Sequence, residues 1–295
     1  MTNAMILKIV EITLPIFLIA LVGFTYGYRA RPDLAGANKL IVDIALPVLI
    51  FSSLAAKSFD PVQALTFTAA SVALILVSGL MALPLVRFSG ASRDAFLPCV
   101  MFTNVGPVGI PLIALAYGPE SLPLAIVLLV ISNVLHFTLG AAIMSKKIDW
   151  KMVYGNPLVW ATLMGLCASR WQVEPPLPVQ TALTMIGNVL VPMMLLALGS
   201  RLASSHIKDI QVGVTSSILT LSIRLVAVYA LLMLIPLQGV ERGVLILFAC
   251  LPPAVFNFML ADKFKVEPHK VASTVITGHL ASLVFLPLGI WLAFN

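Results

Sequence analysis

Apolar runs separated by short breaks carrying charge, proline or glycine read as helices near 5–28, 39–56, 63–87, 94–117, 121–144, 157–172, 179–202, 212–235, 242–262 and 269–294. A hydrocarbon core of about 30 Å takes about 20 apolar residues per helix, so the pattern predicts an all-α membrane protein of about ten transmembrane helices. The run from Met5 to Tyr28 is too long for a cleaved leader and no small-residue cleavage site follows it. It is expected to remain as a membrane anchor.

Composition agrees: of 295 residues 60% are hydrophobic and only 10% charged, against roughly 25% charged in an ordinary soluble domain. The bilayer is the solvent, and little chain is left for a soluble domain. The net charge of +6 does not point to nucleic acid, because the basic residues form no patch interleaved with aromatics. Membrane topology accounts for them. The odd-numbered connections hold most of the lysine and arginine, including Arg29, Arg31, Lys39, Lys146, Lys147, Lys151, Arg201, Lys208, Lys263 and Lys265, whereas the even ones hold Lys57, Arg170 and Arg242. That bias puts the odd connections in the cytoplasm and, with an even number of spans, both termini outside an inner membrane. Cys99, Cys167 and Cys250 share no Cys-x-x-Cys spacing, so no metal site, cofactor or disulfide framework is signalled.

The two halves of the chain resemble each other. Asp43-Ile-Ala-Leu-Pro47 in the second span is matched by Asn188-Val-Leu-Val-Pro192 in the seventh, and Arg93 opens the fourth span as Arg242 opens the ninth. The fourth then carries Pro107 and Pro111 in mid-membrane, and the ninth Pro252 and Pro253. One five-span unit thus occurs twice, over 1–150 and 151–295. Because five is odd, the second copy enters from the opposite side, giving the 5+5 inverted repeat that many secondary transporters use for alternating access.

Proline removes the bond to the carbonyl four residues earlier, so Pro107 and Pro111 free the carbonyls of Thr103 and Pro107, and Pro252 and Pro253 free those of Phe248 and Ala249. Irregular backbone at that depth survives only inside protein or around a watery cavity. Asn104, Gly106 and Gly109 beside the first break and Asn257 beside the second predict a polar, backbone-lined site where two broken helices cross. Half-helix N-termini there would suit a carboxylate without requiring a buried cation. The bland reading is a pair of ordinary proline kinks.

At these residues a family resemblance enters. Asn104 followed by Gly109-Ile110-Pro111-Leu112, Leu251-Pro252-Pro253-Ala254, Ala261-Asp262-Lys263-Phe264, Ala272-Ser273-Thr274-Val275, Leu46-Pro47-Val48-Leu49-Ile50-Phe51 and Leu198-Gly199 together resemble motifs of the auxin efflux carrier family, including its bacterial malonate or auxin-like permeases. The resemblance covers nearly the whole chain. It implies ten spans with broken, crossing helices four and nine, a scaffold of spans one, two, six and seven, and elevator-like transport by the rest. Asn257 stands where plant members carry a crossover proline, which separates this chain from them and puts the plant hormone in doubt as its substrate.

The remaining intramembrane polar residues divide. Glu11 one turn after Lys8, and Asp43 one turn after Lys39, have the spacing of interfacial ion pairs, while Asp43 also has Asn188 as its repeat counterpart. Arg224 lies near mid-span and either neutralises an anion or snorkels past the preceding serines and threonines. His136 and His279 either relay protons or sit satisfied in the core. Asp60-Pro61 reads as a turn.

An enzyme would need a nucleophile beside a base, paired carboxylates or clustered ligands, and no His-Glu-x-x-His or Gly-x-Ser-x-Gly occurs. A channel does not explain paired breaks. The expected function is secondary transport of a small organic anion, a carboxylate or dicarboxylate, with Thr103, Asn104, Gly109, Pro111, Pro252, Pro253, Asn257 and Arg224 at the substrate and Asp43, Asn188, His136 and His279 as coupling candidates. The alternative is a sodium-coupled symporter of the bile-acid type, which would need clustered oxygens at the crossing. The coupling ion, proton or sodium, and the choice between monomer and homodimer are left open by the sequence.

Overall fold

Mid-membrane proline decides which spans are continuous. The fold is a computed structural model that describes residues 3–55, 64–147, 154–173, 175–204 and 208–295; Asp60-Pro61 lies outside them. In chain order the helices are α1 (Asn3–Ala30), α2 (Ala35–Leu54), α3 (Leu65–Ser89), α4 (Arg93–Met101), α5 (Val105–Tyr117), α6 (Pro119–Ser145), α7 (Pro157–Arg170), α8 (Leu177–Ser204), α9 (Ile210–Leu234), α10 (Gly239–Cys250), α11 (Phe256–Phe264) and α12 (Pro268–Phe294). Seven of these, α1, α2, α3, α6, α8, α9 and α12, are long and apolar enough to cross a membrane. The segments read from sequence as the fourth and ninth spans are each two short helices, α4 with α5 and α10 with α11. Local signals set several ends: Pro119, Pro157 and Pro268 open helices, where a missing N–H costs nothing, and the Asn156 side chain caps α7 by accepting from Leu158 N at 3.0 Å.

The helices pack as two groups. In one, α1 runs along α8, and α2 lies against α7 and α8. The α1–α8 seam is built from small residues: Gly23 faces the Leu196 backbone, Gly199 faces the carbonyl of Ala20, and a Cβ on Gly27 would stand 2.6 Å from Ser200 Cα. Such close backbone approach is how membrane helices associate without a hydrophobic driving force. In the other group, α9 and α10 pack on α12, and α3 packs on α4, α6 and α9.

Connections meet at two ends. At one, the Ser92 N–H donates to Glu267 Oε2, Lys146 pairs with Asp94, and Gly90 abuts Val212, which brings together the third, fifth, seventh and ninth breaks of the hydropathy pattern. At the other, Lys8 lies over the Phe294 ring, Tyr117 donates to the Ala293 carbonyl, and Gly243 touches Tyr117.

Candidate functional site

The two proline breaks meet inside the second group. Between α4 and α5 the chain is extended, and between α10 and α11 it is extended again; the strands touch antiparallel at Thr103 and Pro253. Asn104 N donates to the Pro252 carbonyl at 2.8 Å and Ala254 N to the Phe102 carbonyl at 2.9 Å. Each broken helix therefore supplies the partner that the other's backbone lacks, the condition for irregular chain within a bilayer. The freed carbonyls of Thr103 and Phe248 find local donors in Val105 N and Leu251 N.

A cavity of about 450 Å³ opens beside this crossing, between the two helix groups. From the crossing it is lined by Thr103, Asn104, Gly106 and Pro107, from α6 by Ser132, Asn133 and His136, and from the first group by Lys39, Asp43, Met194 and Arg201. Three helical turns are widened to π geometry, Ile41–Ala45, Val105–Gly109 and His136–Gly140. Each contributes residues to this cavity. A π turn spoils regular hydrogen bonding to re-aim side chains and is frequent at functional sites; no hydropathy pattern signals it. The Thr103 hydroxyl is buried there with no partner among the described residues.

The two crossover amides have different company. Asn104 Nδ2 contacts His279 Nε2 at 2.8 Å, and His279 Nδ1 lies 2.8 Å from the Val275 carbonyl. A carbonyl only accepts, so Nδ1 carries the hydrogen, Nε2 of the neutral ring is the acceptor, and the Asn104 amide donates to it. Asn257 is wholly buried and is not among the cavity's lining residues. Its Nδ2 donates to the Phe102 carbonyl at 3.2 Å, inside the crossing. The amide stands beside the His136 ring, yet neither Asn257 Oδ1 nor His136 Nε2 has a partner in good geometry among the described residues. His136 stacks on Phe102 with ring centroids 4.2 Å apart and meets Phe256 edge-on.

The structure disperses other expected site residues. Gly109 packs under Leu251, and Pro111, Pro252 and Pro253 are buried in the framework, the Pro253 ring against Gly278 of α12. Asn188 is exposed on α8, away from the cavity. Arg224 is neither at the cavity nor at a surface: it is buried, Nε donates to the Thr220 carbonyl at 3.2 Å, and Cys99 and Cys250 lie near it. Conversely, Arg201, read from sequence only as cytoplasmic charge, and Lys39, read as cytoplasmic charge and as a partner for Asp43, line the cavity, and so does Asn133.

A model of the membrane transport protein family matches residues 8–152 and 145–290. A protein of Methanothermobacter thermautotrophicus named "Uncharacterized transporter" is 24% identical over 94% of this chain and 96% of its own length. One of Rhizobium meliloti named "Putative malonate transporter" is 26% identical over 83% of this chain and 82% of its own. Auxin efflux carrier component 7 of Arabidopsis thaliana is 27% identical over 48% of this chain and 25% of its own. Two broken helices paired through their backbones beside a polar cavity, and a family match spanning nearly all of the sequence, lead to one assignment: the chain belongs to the membrane transport protein family, that of the auxin efflux carriers.

Proposed function

We propose that this protein is a secondary transporter of a small organic anion, a carboxylate or dicarboxylate, and that the cavity beside the crossing is its binding site. The observation that carries the reading is the cavity's wall: two π turns, the Asn104 amide and an unpartnered Thr103 hydroxyl on one side, and the third π turn with Lys39, Asp43 and Arg201 on the other. Two cations against the one carboxylate of Asp43, with the Thr103 hydroxyl free to donate, suit a carboxylate, and the first turn of α5 adds the positive end of a helix dipole. The name of the Rhizobium meliloti relative supports malonate as a first candidate.

In this reading the chain has ten spans in a 5+5 inverted repeat, 1–150 and 151–295, with odd connections cytoplasmic and both termini outside an inner membrane. The group of α1, α2, α7 and α8 is the static scaffold, and the group holding the crossing moves against it, elevator-like, with the anion. Lys39 and Arg201 belong to connections assigned to the cytoplasm by charge bias, so the cavity is inward-facing.

The test is uptake of labelled malonate, succinate, acetate and indole-3-acetate into proteoliposomes under imposed proton, sodium or potential gradients. Saturable uptake of at least one acid, competed by its unlabelled form, is expected. Uptake of none would overturn the reading.

A further inference from the structure

We propose that His279 is a proton-binding site linked to the anion through Asn104, so that anion and proton are bound and carried together. The inference rests on the cavity beside the crossing being the anion site. His279 is buried on α12 and does not line that cavity; it lines two others, of about 170 and about 500 Å³. Leu198, Arg201, Val255 and Met259 line both the anion cavity and the larger of His279's two, and Asn104 is the hydrogen-bonded link to the ring itself: its backbone holds Pro252, its amide holds His279, and it lines the anion cavity.

Chemistry then links the two sites. In the neutral ring Nδ1–H is committed to the Val275 carbonyl, so Nε2 accepts from the Asn104 –NH2 and the amide oxygen is the end left for the cavity. An amide oxygen repels a carboxylate. A proton arriving on Nε2 turns the ring into a donor at both nitrogens. Asn104 then has to rotate its oxygen toward His279, and the rotation delivers its –NH2 to the cavity, where a carboxylate accepts. Binding either species thereby favours the other, and the ring's added charge is balanced by the anion on the far side of one side chain. Such linkage is reciprocal by thermodynamic necessity.

The surroundings allow this. Among the described residues, the charged or titratable groups sharing His279's two cavities are Arg201 from α8 and His269 near the start of α12, with no carboxylate. Of the elements packed on α12, α9 brings Arg224 and α10 brings Cys250, which sits against Gly289, about 15 Å further along the helix by its rise per residue. From α1, Lys8 reaches only Phe294 at the helix end; Asp262 and Lys263 close α11 at its exposed C-terminal turn. α4, also packed on α12, carries Arg93 and Asp94 in its first turn, and Asp94 is already paired with Lys146; among the described residues no carboxylate shares a cavity with the ring, so the anion supplies the countercharge.

The experiment compares wild type with His279→Gln, which keeps an amide hydrogen-bonding partner for Asn104 but cannot titrate. The readout is the ratio of malonate uptake with and without an inward proton gradient, with the other panel acids in parallel. Wild type is expected to show a ratio well above one and the variant a ratio of one, whatever its absolute rate. Because the variant could fail to insert, proton uptake on malonate binding is also measured with a pH indicator on detergent-solubilised wild type, well above the acid's own titration range; one proton per anion is expected. Uptake that ignores the gradient in wild type, a gradient ratio retained in His279→Gln, or no proton taken up on binding would overturn the proposal while leaving the anion reading in place. Uptake of no panel acid would sink both.

Discussion

The α1–α8 seam and the α4–α5/α10–α11 crossing are both places where backbones come close, but they are held by different physics. Along the seam, Gly23, Gly27 and Gly199 let main chains touch with no room for a side chain, and dispersion between fixed surfaces does the holding. At the crossing, two backbone bonds and two amides do it, and hydrogen bonds can be exchanged for others of similar energy. The first contact has one good arrangement; the second can have several. A transporter needs both kinds, a part that keeps its shape and a part that re-pairs, and the molecule separates them into different helix groups.

The largest effect is expected from breaking the seam. A Cβ on Gly199 meets the Ala20 carbonyl and the Phe24 backbone nitrogen, and backbone cannot step aside. Gly199→Leu should cost the upper end of the roughly 1–3 kcal/mol typical of overpacking, or more. Gly36→Ala, with nothing within 4 Å of the added atom, is the matched control. Size-exclusion profiles of the two variants in detergent check this: aggregation or loss of the first with a monodisperse second is expected, and equal profiles would mean that the seam yields.

Next comes the asymmetry within the crossing. Asn104→Ala removes the –NH2 that the rotated amide offers to the bound anion; a hydrogen bond to a charged ligand is worth about 1.5–3 kcal/mol, so affinity should fall roughly ten- to a hundredfold with the fold intact. Substrate binding measured by protection against thermal unfolding reports it, and wild-type protection would remove Asn104 from the site.

Asn257→Ala should act differently although both residues stand beside a proline break. Its amide serves the Phe102 carbonyl, which keeps a second donor in Ala254 N. The expected loss is about 1 kcal/mol of stability with affinity unchanged in the folded fraction. An affinity defect equal to that of Asn104→Ala would restore the symmetric picture.

This divergence marks how far the sequence could be read. Hydropathy and Pro107, Pro111, Pro252 and Pro253 located the helices and both breaks, because span length and missing N–H groups act locally. The pairing of Asn104 with His279 depends on how four helices cross, and nothing local encodes it. Lys39 and Arg201 were legible as charge but not as cavity lining, since a residue at a helix end looks the same whether it faces water or a vestibule. Arg224, near mid-span in sequence, proved to be buried beside Cys99 and Cys250, because its helix turns that face toward α4 and α10.

The smallest expected effect tests whether the crossing group is also tied at its end. Glu267, in the turn between α11 and α12, accepts from the Ser92 N–H at 2.6 Å and from Lys270 at 2.7 Å. Partial burial pushes its carboxyl up, but the bonds from Lys270 and Ser92 outweigh this and hold it below the usual carboxylate range. A group depressed in the folded state contributes stability that is present above its unfolded value and is lost as pH falls through the folded one. Wild type should therefore lose stability on acidification through and below the ordinary carboxylate range, whereas Glu267→Gln lacks that component. At neutral pH the variant should be less stable by under about 1 kcal/mol, as befits a partly exposed pair, and the two should converge in acid. Thermal unfolding of both proteins from neutral to acid pH decides it. A constant difference across the range would assign Glu267 a packing role, and no difference at any pH would leave the Lys146–Asp94 pair and the hydrogen bonds of the crossing itself to hold the broken helices together.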